Sequence, residues 1–77
     1  MPEPERELAD RTRRLLKAEL KRADVTYGGL AERLTAMGLE ESEASVANKL
    51  SRGTFPATFF LASLKALGLE TLRLDSI

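Results

Sequence analysis

The sequence predicts an all-α fold, a compact four-helix domain, on three observations. Apolar residues recur at helical rather than alternating spacing over most of the chain. Gly38, Gly53 and Gly68 stand just past successive periodic stretches, where helices stop. Thr26 and Ser42 precede two of those stretches as N-cap candidates, and Pro56 opens another. Seventy-seven residues suit a single core. Histidine and cysteine are absent, which removes Ser-His and Cys-His nucleophiles, imidazole or thiolate zinc sites, and disulfides.

The first helix is expected from about Glu5 to Ala23, leaving residues 1–4 as a tail. At about 100° per residue, Leu8, Thr12, Leu15, Leu16, Leu20 and Ala23 share one arc. Arg14, Lys17 and Lys21 lie opposite, with Arg13 on the margin. Glu7 with Arg11, and Asp10 with Arg14, stand at the i,i+4 spacing that supports an exposed helix.

Asp24-Val25 breaks this pattern, and the second helix follows the Thr26 cap, with Leu30, Leu34 and Met37 as its buried stripe. Gly28 and Gly29 in its first turn each cost about 1 kcal/mol relative to alanine. The pair predicts a soft turn or a closely approaching backbone.

Residues 39–41 read as a connector, and Ser42 caps a third helix over about Glu43 to Ser51. Val46 and Leu50 point inward; Ser45, Asn48, Lys49 and Arg52 are its polar positions. A fourth helix, with Pro56 in its first turn, runs to about Leu67 with Phe60, Leu61, Leu64 and Leu67 as its stripe. Phe59 is turned away beside Ala62 and Ala66, a second apolar face suited to a partner. Residues 69–77 read as a short C-terminal β-strand or arm. A lone strand has no sheet to join here, so pairing with a second copy is its natural use. Phe59, Leu69, Leu72 and Leu74 are the expected homodimer contacts.

Twelve basic and twelve acidic residues give zero net charge, which argues against a generic basic nucleic-acid binder. The balance is uneven, since residues 11–23 carry six basic side chains against Glu19. No catalytic constellation or cofactor site emerges. Glu40, Glu41 and Glu43 lack the spacing of a calcium loop, and Gly28-Gly29 lacks the residues of a phosphate loop. No apolar stretch is long enough to span a membrane, and the acidic start does not resemble a secretory signal, so a cytoplasmic binding module is expected.

The order of parts carries a resemblance. Thr26, Leu30-Ala31-Glu32-Arg33-Leu34, Val46, Leu50, Arg52-Gly53, Pro56, Leu64 and Ala66-Leu67-Gly68 resemble the helix-turn-helix domains of phage-repressor and Cro type. Within that lambda-repressor-like group, the chain is similar to a small uncharacterised bacterial domain family. The resemblance spans roughly residues 15–69 and implies double-stranded DNA binding, in transcriptional regulation, by a homodimer. It implies a third helix in the major groove with Ser42, Ser45 and Asn48 reading bases and Lys49 at its far end. Thr26 and Tyr27 would hold a phosphate at the second helix start, and Arg52 would reach the same or a neighbouring one.

Departures from the pattern are visible. The connector is longer than the usual tight turn, three glutamates stand where phosphates would approach, and Ser51 replaces the glutamate usual before Arg-Gly. Glu19, within the first helix's apolar arc, suggests a buried pair with Arg52 or Lys49. These departures favour the alternative, a protein-interaction or dimerisation module on the same scaffold.

Overall fold

The computed structural model describes residues 2–77. The elements in order are α1 (Glu3–Ala23), α2 (Tyr27–Ala36), α3 (Glu43–Arg52), α4 (Ala57–Ala66) and a 3-10 turn at Leu74–Ser76. α2 packs on α3 and α4, and α1 packs on α4.

α1 begins at Glu3 rather than Glu5, so the expected tail shrinks to Pro2; Met1 lies outside the described residues. Pro4 is tolerated in the first turn, where its missing N–H has no partner to lose. Glu3 and Glu5 face the positive helix end, and Lys21 and Arg22 the negative one. At the C-terminus Asp24 takes a left-handed conformation (φ 57°), which a short polar side chain tolerates. The amides of Asp24 and Val25 then bond back to the carbonyls of Lys21 and Leu20 at 3.1 and 2.9 Å.

The core is drawn from every helix: Leu16 and Leu20; Leu30, Ala31 and Leu34; Val46 and Leu50; Phe59, Ala62 and Leu64. Three apolar stripes differ from expectation; on α1, Leu8 is 56% exposed and Ala23 is exposed too, so only the middle of that arc is buried. Met37 is exposed, because α2 ends at Ala36 and the chain reverses at Gly38. Leu39, whose amide bonds Leu34 O at 2.9 Å, packs on the core after the turn. α4 is rotated as well. Leu61 stays 54% exposed, Phe60 and Leu67 are half-buried, and the inward face is Phe59, Ala62, Ser63 and Leu64.

Phe59, expected at a dimer surface, is instead sealed at 2% exposure. Small Ala62 and Ser63 leave room for its ring, and Phe55 packs against it with centroids 5.2 Å apart. The buried Ser63 hydroxyl donates to Phe59 O at 2.7 Å, so it leaves no unsatisfied donor.

No strand forms among the described residues, which corrects the strand reading of 69–77. The segment is an arm: Leu69 and Leu72 lean on the core, while Leu74 projects at 77% exposure. With no neighbouring sheet edge, its backbone has nothing to pair with.

Leu50 is wholly buried and Leu61 is not, so their truncations should separate. Leu50→Ala is expected to cost about 2–5 kcal/mol, much of the stability of a domain this small. Leu61→Ala should cost less than about 1 kcal/mol. Thermal unfolding followed by far-UV circular dichroism checks both.

Candidate nucleic-acid interface

The connector between α2 and α3 is stiffened by side chains. The Thr35 hydroxyl donates to Glu41 O at 3.1 Å and accepts from Glu41 N–H at 3.2 Å. Ser42 then caps α3. Its Oγ accepts the Ser45 amide at 3.1 Å, and Ser45 Oγ accepts the Ser42 amide at 2.8 Å. This is a capping box with serine in the place usually taken by glutamate.

Ser45 also donates to Glu41 Oε1 at 2.6 Å, and the Lys49 ammonium donates to Glu41 Oε2 at 2.6 Å. The pair is well covered, with side-chain exposures of 9% for Glu41 and 21% for Lys49. Lys49 Nζ also stands 5.1 Å from the centre of the Phe59 ring. Burial by itself would raise the Glu41 carboxyl, yet the hydrogen bonds from Lys49 and Ser45 and the Lys49 charge hold it below its ordinary value of 4.5.

These contacts sort the expected base-reading residues. Ser45 has its hydroxyl committed to the cap and to Glu41, and Lys49 is committed to Glu41 and Phe59. Ser42 accepts from the helix start and remains exposed. Asn48 and Arg52 are exposed and make no hydrogen bond or ion pair among the described residues. With Ala44 and Ser51 they form an outward row along α3, at the i, i+4, i+8 spacing for 44, 48 and 52. The side chains preceding Arg52 are small enough to let another surface come close.

At the start of α2, Thr26 Oγ1 accepts the Gly29 amide at 3.0 Å, and Tyr27 packs partly on the core. What approaches Gly28 is a side chain rather than a backbone. Glu43 Oε1 lies 2.9 Å from where a Cβ on residue 28 would stand. α2 has no acidic residue of its own in this turn, and α3 supplies one. The groove there is lined by Glu32, Glu41 and Glu43, an acidic rim beside the Thr26 turn.

Glu19 is buried but pairs with neither Arg52 nor Lys49. Arg22, one turn on, reaches its two oxygens at 3.2 and 3.1 Å, close enough in sequence to need no partner from α3.

Arg13 is the residue that helical periodicity undervalued. It stands seven residues before Leu20, so it lies within about 20° of that buried side chain. It runs beside Gly53, its Nε about 4.0 Å from the place a Cβ would take. Its Nη2 donates to Asp10, while its Nε is shut off from solvent with no acceptor. The seven-residue spacing to Leu20 was the available signal.

Comparison with known proteins places the chain in a family of domains of unknown function, DUF6471, whose model matches residues 8–72. The chain belongs to that family. No curated protein and no solved structure matches it. Among the described residues no helix is long and apolar enough to cross a membrane.

A covered ion pair is a stability device, and its test is thermodynamic. Lys49→Met should destabilise the domain by about 1–3 kcal/mol at neutral pH by stranding the covered carboxylate, read by urea unfolding. The folded Glu41 pKa lies below its unfolded one, so its contribution is present above about 4.5. It is lost as pH falls through the lower folded value. Glu41→Gln should therefore flatten the decline in stability below that pH, in urea titrations of parent and variant at successive pH values.

Proposed function

We propose that this chain is a double-stranded DNA-binding helix-turn-helix module, with α2 as the supporting helix and α3 as the reading helix, acting in cytoplasmic transcriptional control as a homodimer. The carrying observation is the outward row on α3, in which Asn48 stands exposed between small side chains with Arg52 after it. Asparagine offers a donor and an acceptor to adenine, and a bidentate pair contributes about 1–3 kcal/mol of discrimination. Ser42 remains a candidate contact. Thr26 and Tyr27 border the α2 start, where backbone amides suit a phosphate. Ser45 and Lys49 support α3 rather than read DNA.

Zero net charge favours the alternative, an interaction module, so the DNA reading leans on local placement of the α3 side chains instead. Two copies would set their α3 helices roughly 34 Å apart, one turn of duplex. The exposed Leu74 and the half-buried Leu69 and Leu72 are the proposed self-contact.

Selection from a randomised duplex library, followed by fluorescence anisotropy, tests the reading. Asn48→Ala is expected to lose about 10-fold or more on the selected site and nothing on mixed-sequence DNA. Failure of the parent to bind duplex DNA better than a charge-matched polyanion at low salt overturns it. For the dimer, Leu74→Asp should shift sedimentation from dimer to monomer without altering the circular dichroism spectrum.

A second reading is favoured by the exposed Glu32 and Glu43 on the groove beside the Thr26 turn: a protein-interaction module on the same scaffold, taking a basic partner segment there. Like charge there opposes phosphates and attracts cations.

A further inference from the structure

Resting on the DNA-binding reading, we infer that Arg13 of α1 and Arg52 of α3 form a clamp for one backbone phosphate at the C-terminal end of α3. The first half of α1 and the end of α3 line a cleft of about 440 Å³, with Arg13, Arg52 and Gly53 among its walls. Gly53 is left-handed (φ 77°) and has no side chain, so the floor between the two arginines is bare backbone.

Arg13 is held at one end and unsatisfied at another. Its Nη2 is bonded to Asp10 and its Nε has no acceptor. A buried donor without a partner is unfavourable, and an incoming anion that draws the fork outward would relieve it. Arg52 has no acceptor among the described residues either. Planar forks of this kind match phosphate oxygens in two-point fashion.

Glu3, Glu7 and Asp10 also line the cleft. Their charge is already met along α1: Arg6 faces Glu3, Arg11 faces Glu7, and Asp10 is shared by Arg13 and Arg14. The side chains that line the cleft therefore balance, three carboxylates against Arg6, Arg13 and Arg52, and of these arginines Arg52 has no carboxylate partner among the described residues. The unpaired positive charge of the cleft is thus Arg52, at the edge that continues the Asn48 row. The rim at the other end of α3 is acidic. An asymmetric field of this kind orients α3 against a phosphate ladder, with its C-terminal end as the anchored one.

Phosphate contacts have a readout that folding defects lack. The slope of log affinity against log salt falls by about 0.9 for each contact removed. With a mixed-sequence duplex of about two helical turns, titrated between about 50 and 200 mM salt, Arg13→Ala and Arg52→Ala should each reduce the slope by about 1. The double variant should reduce it by about 2, and Arg13→Lys should retain it. Lys17→Ala removes the same charge from the exposed side of α1, away from the cleft carboxylates, and should leave the slope unchanged. Should Arg13→Ala fail to fold, Arg13→Gln keeps the stem and carries the test.

A parent that binds DNA while its Arg13 variants keep the parental slope overturns the clamp and leaves the DNA reading standing. A parent that shows no salt-dependent duplex binding overturns both. Slopes lowered in Arg13 and Arg52 variants alone support the clamp.

Discussion

The ammonium group of Lys49 is where the α2–α3 connector, α3 and α4 meet. Glu41 brings the connector to it, α3 supplies its stem, and the Phe59 ring of α4 lies beneath. A carboxylate this covered would be costly alone, and a lysine this covered would be too; together, with the Ser45 hydroxyl, each offsets part of the other's penalty. The orientation of α3 about its own axis follows from that union. Lys49 cannot turn outward without stranding Glu41, and Val46 and Leu50 cannot leave the core. Asn48 and Arg52 face solvent because every competing rotation is closed.

The helices and their stops were largely legible in the sequence because capping and periodicity are local. Thr26, Ser42, Gly38, Gly53 and Gly68 act on the chain within a few residues of themselves. What was not legible is the relation between elements. Phe59 and Phe60 are equally apolar and both pack on Phe55; Phe59, which also lies under Lys49 of α3, is the sealed one. Lys49 looked like a surface cation, since its partner lies eight residues back across a loop whose path no periodicity describes. Glu19 misled in the opposite way, by suggesting a distant partner when Arg22 was one turn off. The outward placement of Asn48 was legible from Val46 and Leu50 alone, since two inward residues fix the opposite side of a helix.

The charge layout gives the domain a direction. Glutamates gather around the α2 start and the first turn of α3, arginines around its last turn and Gly53. Both placements favour helix dipoles, so the separation serves folding before any partner arrives. A ligand with evenly spaced negative charge meets attraction at one end of α3 and resistance at the other, whereas a basic peptide meets the reverse. The same layout thus sustains both readings of function, and α3's polarity decides how each would dock.

The first half of α1 has a mechanical consequence of its own. No residue before Leu16 is fully buried, so this stretch is held by its own backbone ladder and by pairs such as Glu7–Arg11 and Asp10–Arg14. Pairs of that kind fade as the Debye length shrinks below about 10 Å, while the leucines from 16 onward are indifferent to electrolyte. The molecule therefore divides into a grease-locked body and an ionically braced lever. Brine loosens the lever first, and amide exchange should quicken from Glu3 toward Thr12 well before the body opens.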